Sequence, residues 1–526
     1  MTGALPEVSG SPNDEIYQST SLLSESIDEL VKLTRAIPTG QIPDLNALAN
    51  ELPPGAMIYP GTVAFERAVS IGNLLYSRKT PAAIVQPRDT QDVVTIIKFC
   101  RANNIQFTVK NGGHSYAGYC LNKGGIVMDM GTMMQTVLAD HEATIQGGAT
   151  WESVYARLVG KDRRCIIIGG QCPTVGVSGF TLGGGLSPFS RSYGLGIDNI
   201  REMTVVTADG SVVTLDAYES DPKRRRLFWA LRGGGGGNFG VLVEFKARIH
   251  RLKDPHGHVV CGQLTWDLDK HLEEFNNMIV AFDQEGCSRD LTLDAIWRSD
   301  VKPGKPGKLL GQMTVIYNGG SKADCEKALD NILKCKPDEN DIREMHWSEW
   351  VHTELGLNAS GSVYQHHASF IFARGALDLE LVRGISELVK EAYDRYVLPH
   401  HGVKVHFLWD HIGAETANYA ADATAFPWRT GAYVCNLKLI WTCQDLSKEM
   451  FDFALKTRKF LDPYTIDGKA SYVNYIDSTV EDWQGTYYGQ NYPALQAVKA
   501  EWDPSDFFRF ERSIELPNRP HKVEDV

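Results

Sequence analysis

Four short segments of the sequence hold residue types that could do chemistry. In Lys110-Asn111-Gly112-Gly113-His114-Ser115-Tyr116, two successive glycines follow the strand-like QFTV. Missing side chains there let backbone N–H groups turn inward as an anion-binding concavity, which suits a phosphate-bearing cofactor. His114 is then either a reactive imidazole or an ordinary loop histidine. In Gly169-Gly170-Gln171-Cys172-Pro173-Thr174-Val175-Gly176, a thiol sits on a turn fixed by proline and glycine. It could be a nucleophile, a point of covalent attachment or a buried structural cysteine. The run Gly233 to Gly240 contains a formal GxGxxG at 235, 237 and 240. A Rossmann turn leaves a strand and opens a helix, whereas here the helix-like LFWALR precedes the glycines and the strand-like VLVEFKARI follows them. The remaining readings are a glycine linker or backbone packed against a bulky ligand. Finally, Tyr472-Val473-Asn474-Tyr475-Ile476-Asp477 concentrates phenols and amides, and a phenol can act as a base where its pKa is lowered.

The elements that must carry these segments are legible from periodicity. From Ala82 the chain reads strand (AAIV), helix (TQDVVTIIKFCRANN) and strand (QFTVK), a βαβ-like unit. Apolar residues at helical spacing predict an earlier helix over Ser21–Ala36. Beyond Arg251 the glycine clusters thin out, and VKVHFLW and GAYVCNLKLIW alternate as strands of an antiparallel sheet with helices on one face. The expected class is α+β. Its divisions are an N-terminal extension with helices (1–75), a cofactor domain (76–253), a substrate domain (254–464) and a C-terminal segment returning to the first domain (465–526).

The 526 residues allow two to four domains at about 150 residues each. A net charge of −12 has the wrong sign for gripping a phosphate backbone, so nucleic acid is not an expected partner. The start lacks the basic and apolar regions of a secretory signal, and no 20-residue apolar span follows, so a cytoplasmic protein away from membranes is expected. The sequon at Asn358 is the single match that chance supplies. The ten cysteines include no CxxC pair. P-loop, HExxH and EF-hand patterns are absent, and adjacent His366 and His367, lacking i, i+4 spacing, read as surface or packing residues.

Taken in this order, GGHSYAG, GGQCPTVGVSGFTLGGG, SYGLGIDNI, LFWALRGGGGGNFGVLVEF, ATAFPWR, YVNYID, YYGQN and WDPSDFF resemble the berberine-bridge-enzyme-like FAD-linked oxidases of the vanillyl-alcohol oxidase and p-cresol methylhydroxylase superfamily. The resemblance spans roughly Ala82 to Ile514. It implies FAD held at two points, His114 on the 8α carbon and Cys172 on C6. It places Lys110, Asn111, Gly112, Gly113 and Ser115 around the cofactor. Gly170, Thr174, Val175, Gly176 and Gly179 belong with them, as do Ser190, Ile200, Val241, Tyr472 and Asn474. Val175 stands where a small side chain admits oxygen, which implies an oxidase.

The resemblance further implies that Tyr475 is the base, with Tyr116 and Tyr193 lining the cavity. The strand after the FPxR-like turn, Tyr433 to Lys438, offers no carboxylate, although berberine bridge enzyme itself has a glutamate there. By alternation Val434, Asn436 and Lys438 share a face. Turned into the cleft, Lys438 would depress a tyrosine's pKa; turned outward, it is an ordinary ion-paired lysine. The activity implied is O2-dependent, peroxide-releasing oxidation of a small organic molecule in specialised metabolism. A carbohydrate oxidase and an oxidative cyclase or isomerase are the alternatives, and the oligomeric state is open.

Overall fold

A computed structural model of the chain describes residues 44–284, 286–300, 307–353 and 362–518. The helix expected over Ser21–Ala36 and the sequon at Asn358 lie outside these residues. The run AAIV forms a strand, Ala83–Val85, and the helix Thr90–Ala102 leads to the strand Phe107–Lys110. The Asp89 side chain starts that helix by accepting a hydrogen bond from the Asp92 N–H, and its apolar stripe Val93, Ile96, Ile97 and Cys100 is buried. Both strands run parallel to Ile126–Asp129, which lies between them, and Met57–Ile58 pairs antiparallel at the edge.

A second, five-stranded antiparallel sheet runs Thr136–Leu138, Glu142–Gln146, Val241–Arg248, Ile200–Val206, Val212–Asp216. Its central strand Val241–Arg248 follows the glycine run, and the helix Pro222–Ala230 precedes that run, as the sequence order requires. The C-terminal residues Val473, Trp483, Tyr487, Leu495 and Ile514 pack into the same core as Ile145, Met203 and Phe245 of this sheet.

The third sheet is antiparallel and spans residues 258–441. Among its strands, Leu291–Asp300 pairs with Lys404–His411, which pairs with Gly431–Trp441, which pairs with Tyr364–Ala373. One face is apolar: Trp297, Phe407, Trp409, Leu437 and Leu439 lie beneath Phe275, Leu381, Ile385 and Phe453 of the covering helices Leu268–Gln284, Leu379–Ala392 and Ser447–Leu461. Strand alternation turns the polar residues to the other face. This is the α+β arrangement expected, and the polar face becomes a wall of the site.

Candidate active site

That polar wall, the two glycine loops and the Tyr472–Tyr475 turn enclose a cavity of about 380 Å³. The loop after Phe107–Lys110 is seated by backbone contact. A Cβ on Gly112 would lie 2.5 Å from the Thr174 carbonyl oxygen and 2.6 Å from Gly176 N, so only glycine allows this approach. Asn111 Nδ2 donates to Ser178 Oγ at 3.0 Å and to the Gly147 carbonyl, tying the loop to both neighbours. His114 and Cys172 consequently face one cavity: His114 Nε2 lies 2.9 Å and Cys172 Sγ 3.5 Å from the same Thr174 Oγ1. Burial, then Lys438 and Lys110, lowers the His114 pKa, which favours the neutral imidazole a nucleophile needs.

Gly235, Gly236 and Gly237 form a further wall, with positive φ at 235 (85°) and 237 (76°). Asn238 pins this run: its Nδ2 donates to the Gly234 carbonyl at 2.9 Å, and its Oδ1 accepts from Ile514 N at 2.8 Å. Lys110 instead pairs with Asp129 at 3.2 Å. Ser190 Oγ accepts from Ser187 N, and Ser190, Ile200 and Val241 are buried outside the cavity lining. These four, which the resemblance placed around the cofactor, lie outside the residues that line the cavity. Ser115, Gly170, Val175, Gly176, Gly179, Tyr472 and Asn474 are wall residues.

At the sheet side, Tyr475 Oη donates to Asp410 Oδ2 at 2.9 Å. Burial holds the Tyr475 phenol well above its usual pKa and raises the Asp410 carboxyl to about 6. Asp410 is the acidic group that the sequence reading missed, having looked for a carboxylate only along Tyr433–Lys438. The signal was present in VKVHFLWD, where Val405, Phe407 and Trp409 point to the core and His406, Leu408 and Asp410 to the cavity.

Tyr116 lies flat on the His367 ring, 3.5 Å between centroids and 5° between planes, and 5.9 Å from the Tyr475 ring. His367 Nδ1 donates to Asn436 Oδ1 at 3.1 Å. His366 and His367 are therefore buried packing residues rather than surface ones. Tyr193 is not brought to the cavity; its ring sits against His250, 4.3 Å between centroids. Lys438 does face the cavity with Asn436, whereas Val434 packs into an apolar cluster. Burial lowers Lys438 to about 8, yet Tyr116 and Tyr475 are both shifted up. Burial first, and the nearby Asp410 carboxylate with it, raise both phenols.

Residues 81–216 match the family described as FAD binding domain, and residues 471–515 match berberine and berberine like. The chain is 27% identical to glucooligosaccharide oxidase of Sarocladium strictum, covering 83% of this chain and 87% of that one. It is 26% identical to tetrahydroberberine oxidase of Berberis wilsoniae, covering 85% and 88%. An FAD-linked oxidoreductase of Bacillus subtilis (strain 168), YgaK, is 28% identical over 82% of this chain and 91% of its own. Berberine bridge enzyme from Eschscholzia californica shares the fold with a TM-score of 0.79 at 21% identity, covering 92% of this chain and all of that one.

The walls fit the cofactor. A Cβ on Gly179 would meet nothing within 4 Å and one on Gly236 nothing nearer than 3.9 Å, so bare backbone borders open space where a flat ring system can lie. Gly112, Gly113, Gly235, Gly236 and Gly237 line the same space as one imidazole and one thiol, so backbone there can approach a phosphate-bearing cofactor closely. The two family matches, the shared fold and this cradle agree: the chain is an FAD-linked oxidoreductase similar to the berberine-bridge-enzyme-like proteins.

Proposed function

We propose that the chain is an oxidase that converts a hydroxyl-bearing carbon of a small organic substrate to a carbonyl, with FAD bonded to His114 and Cys172. The observation that carries the reaction is the Tyr475–Asp410 hydrogen bond, 2.9 Å long, at the wall of the cavity onto which His114 and Cys172 open. The convergence of both nucleophiles on Thr174 supports the two attachments.

When bound, FAD supplies hydride acceptance from carbon and return of the electrons to dioxygen as hydrogen peroxide. Tyr475 takes the hydroxyl proton while passing its own to Asp410. A phenol held above its usual pKa is a poor base alone; the carboxylate makes the two-proton transfer feasible, because above about pH 6 it is ionised. Tyr116, fixed by its stack on His367, closes the cavity beside Tyr475 and helps exclude water.

A second reading is a carbohydrate oxidase. The wall formed by Asp294, His406, Asp410, Asn436 and Lys438 offers donors and acceptors suited to several hydroxyl groups, and a relative named glucooligosaccharide oxidase aligns along most of the chain.

The test is anaerobic mixing of the yellow protein with aromatic or allylic alcohols and with glucose oligosaccharides. Bleaching, followed by stoichiometric peroxide on admitting air, identifies the substrate class; no bleaching by any hydroxyl compound overturns the proposal. Acid denaturation of the wild type, His114→Ala, Cys172→Ala and the double variant tests the attachments. Flavin is expected to stay with the polypeptide in each single variant and to be released from the double variant.

A further inference from the structure

We propose that Thr174 is a positioning residue for flavin attachment, its hydroxyl holding His114 in the tautomer and orientation from which the imidazole bonds to the ring. This rests on the attachment to His114 proposed above. A hydroxyl has one proton to donate and two lone pairs. Thr174 Oγ1 lies 2.9 Å from His114 Nε2 and 3.5 Å from Cys172 Sγ, so one group can accept from the imidazole N–H and donate to sulfur together.

The rest of the turn makes that contact specific. The Thr174 carbonyl is the atom a Gly112 Cβ would strike, at 2.5 Å, so the backbones of the two loops touch just where their reactive side chains meet. Val175 N donates to the Cys172 carbonyl at 3.2 Å, and Trp151 N donates to the Val175 carbonyl at 3.2 Å, which anchors the turn from behind. Thr174 itself is outside the cavity lining. It touches the two nucleophiles rather than the space they face.

The consequence for chemistry concerns the proton. With Nε2–H donating to Thr174, the lone pair sits on Nδ1, which becomes the bonding nitrogen. His114 Nδ1 forms the new bond to the 8α carbon. One C–H proton leaves that carbon and the Nε2 proton leaves the imidazole on the Thr174 side. The two electrons released reduce dioxygen, which with the two protons gives hydrogen peroxide. Atoms and charge balance with dioxygen, the acceptor of the proposed turnover, as oxidant.

The test uses purified holoprotein of the wild type, Thr174→Val and Thr174→Ser. Valine keeps the shape and removes the hydroxyl; serine keeps the hydroxyl. Tryptic digestion and mass spectrometry give the share of chains bonded at His114 and at Cys172, and the visible spectrum of the folded protein gives flavin content. The proposal expects at least a fivefold fall in the His114 adduct in Thr174→Val at near-normal flavin content, with Thr174→Ser within twofold of wild type. An undiminished His114 adduct in Thr174→Val overturns it. So does an equal fall in Thr174→Ser, which would show that the site tolerates no change. Wild-type protein without any His114 adduct would instead refute the attachment proposed above, so the two failures are distinguishable.

Discussion

At Asp410, burial and function pull in opposite directions. The fold raises its pKa to about 6, above the ~3.9 of an exposed aspartate, so the folded state favours the protonated form. Between those two values the folded chain binds more protons than the unfolded one, and stability therefore falls as pH rises from about 4 to about 6. Asp410→Asn removes that penalty while keeping an acceptor for the Tyr475 hydroxyl. Its melting temperature at pH 8 is expected to equal or exceed that of the wild type, while turnover falls by about 10²–10⁴-fold as the proton acceptor is lost. In the wild type, kcat/KM should decline below about pH 6 as the carboxylate takes a proton, and Asp410→Asn should flatten that limb. Unchanged turnover in this variant would remove Asp410 from the mechanism. Tyr475→Phe should lose activity to a similar extent while retaining its flavin, measurable as peroxide release per bound flavin.

At the scale of elements, each glycine's surroundings predict which substitution breaks the fold and which empties the site. Gly233 has φ +118° and would place a Cβ 2.4 Å from Phe426 N, so Gly233→Ala forces backbone apart. A loss of at least about 2 kcal/mol in urea unfolding is expected. Gly179 lies within the helix Val177–Gly183, and its Cβ would meet nothing within 4 Å. Gly179→Ala should leave stability unchanged or raise it by up to about 1 kcal/mol, while lowering bound flavin, read from visible absorbance per chain. Equal stability losses in both variants would contradict this division.

The contrast also shows what one sequence conveys. The order helix, glycines, strand around 233–240 could be read from periodicity, because it is local. The alternation of Asn436 and Lys438 was equally local, and both reach the cavity. Asp410 faces the cavity by the same local alternation, but its place beside Asn436 comes from pairing between strands distant in sequence: Leu408 lies opposite Asn436, and Asp410 opposite Val434. No spacing within either strand encodes that register. The position of Tyr193 depends on a distant partner too: its ring sits against His250, which lies on a strand in another part of the chain.

At the scale of the whole molecule, buried charged side chains connect segments next to the second sheet with segments of and next to the third. Arg429 donates to both Asp198 oxygens, at 2.9 and 2.8 Å, with both side chains almost fully buried. This joins the turn before the strand Gly431–Trp441 to the turn before the strand Ile200–Val206. Nearby, Arg191 reaches from the helix Ser190–Tyr193 to the carbonyls of Leu291 (2.8 Å), in the third sheet, and of Ile412 (2.7 Å), just after its strand Lys404–His411. Removing one member of a buried pair strands the other charge away from water, at a cost of about 3–5 kcal/mol, whereas replacing both by apolar groups of similar size is close to neutral. Asp198→Asn should therefore lower the urea midpoint far more than the double variant Asp198→Leu with Arg429→Met, with the urea dependence of unfolding unchanged in both. If the pair also sets the spacing of the cavity walls, the double variant will remain folded and yellow yet turn over slowly. Restored turnover in the double variant would show that the surrounding apolar contacts suffice to hold the sheets, and that the charges contribute stability without positioning the site.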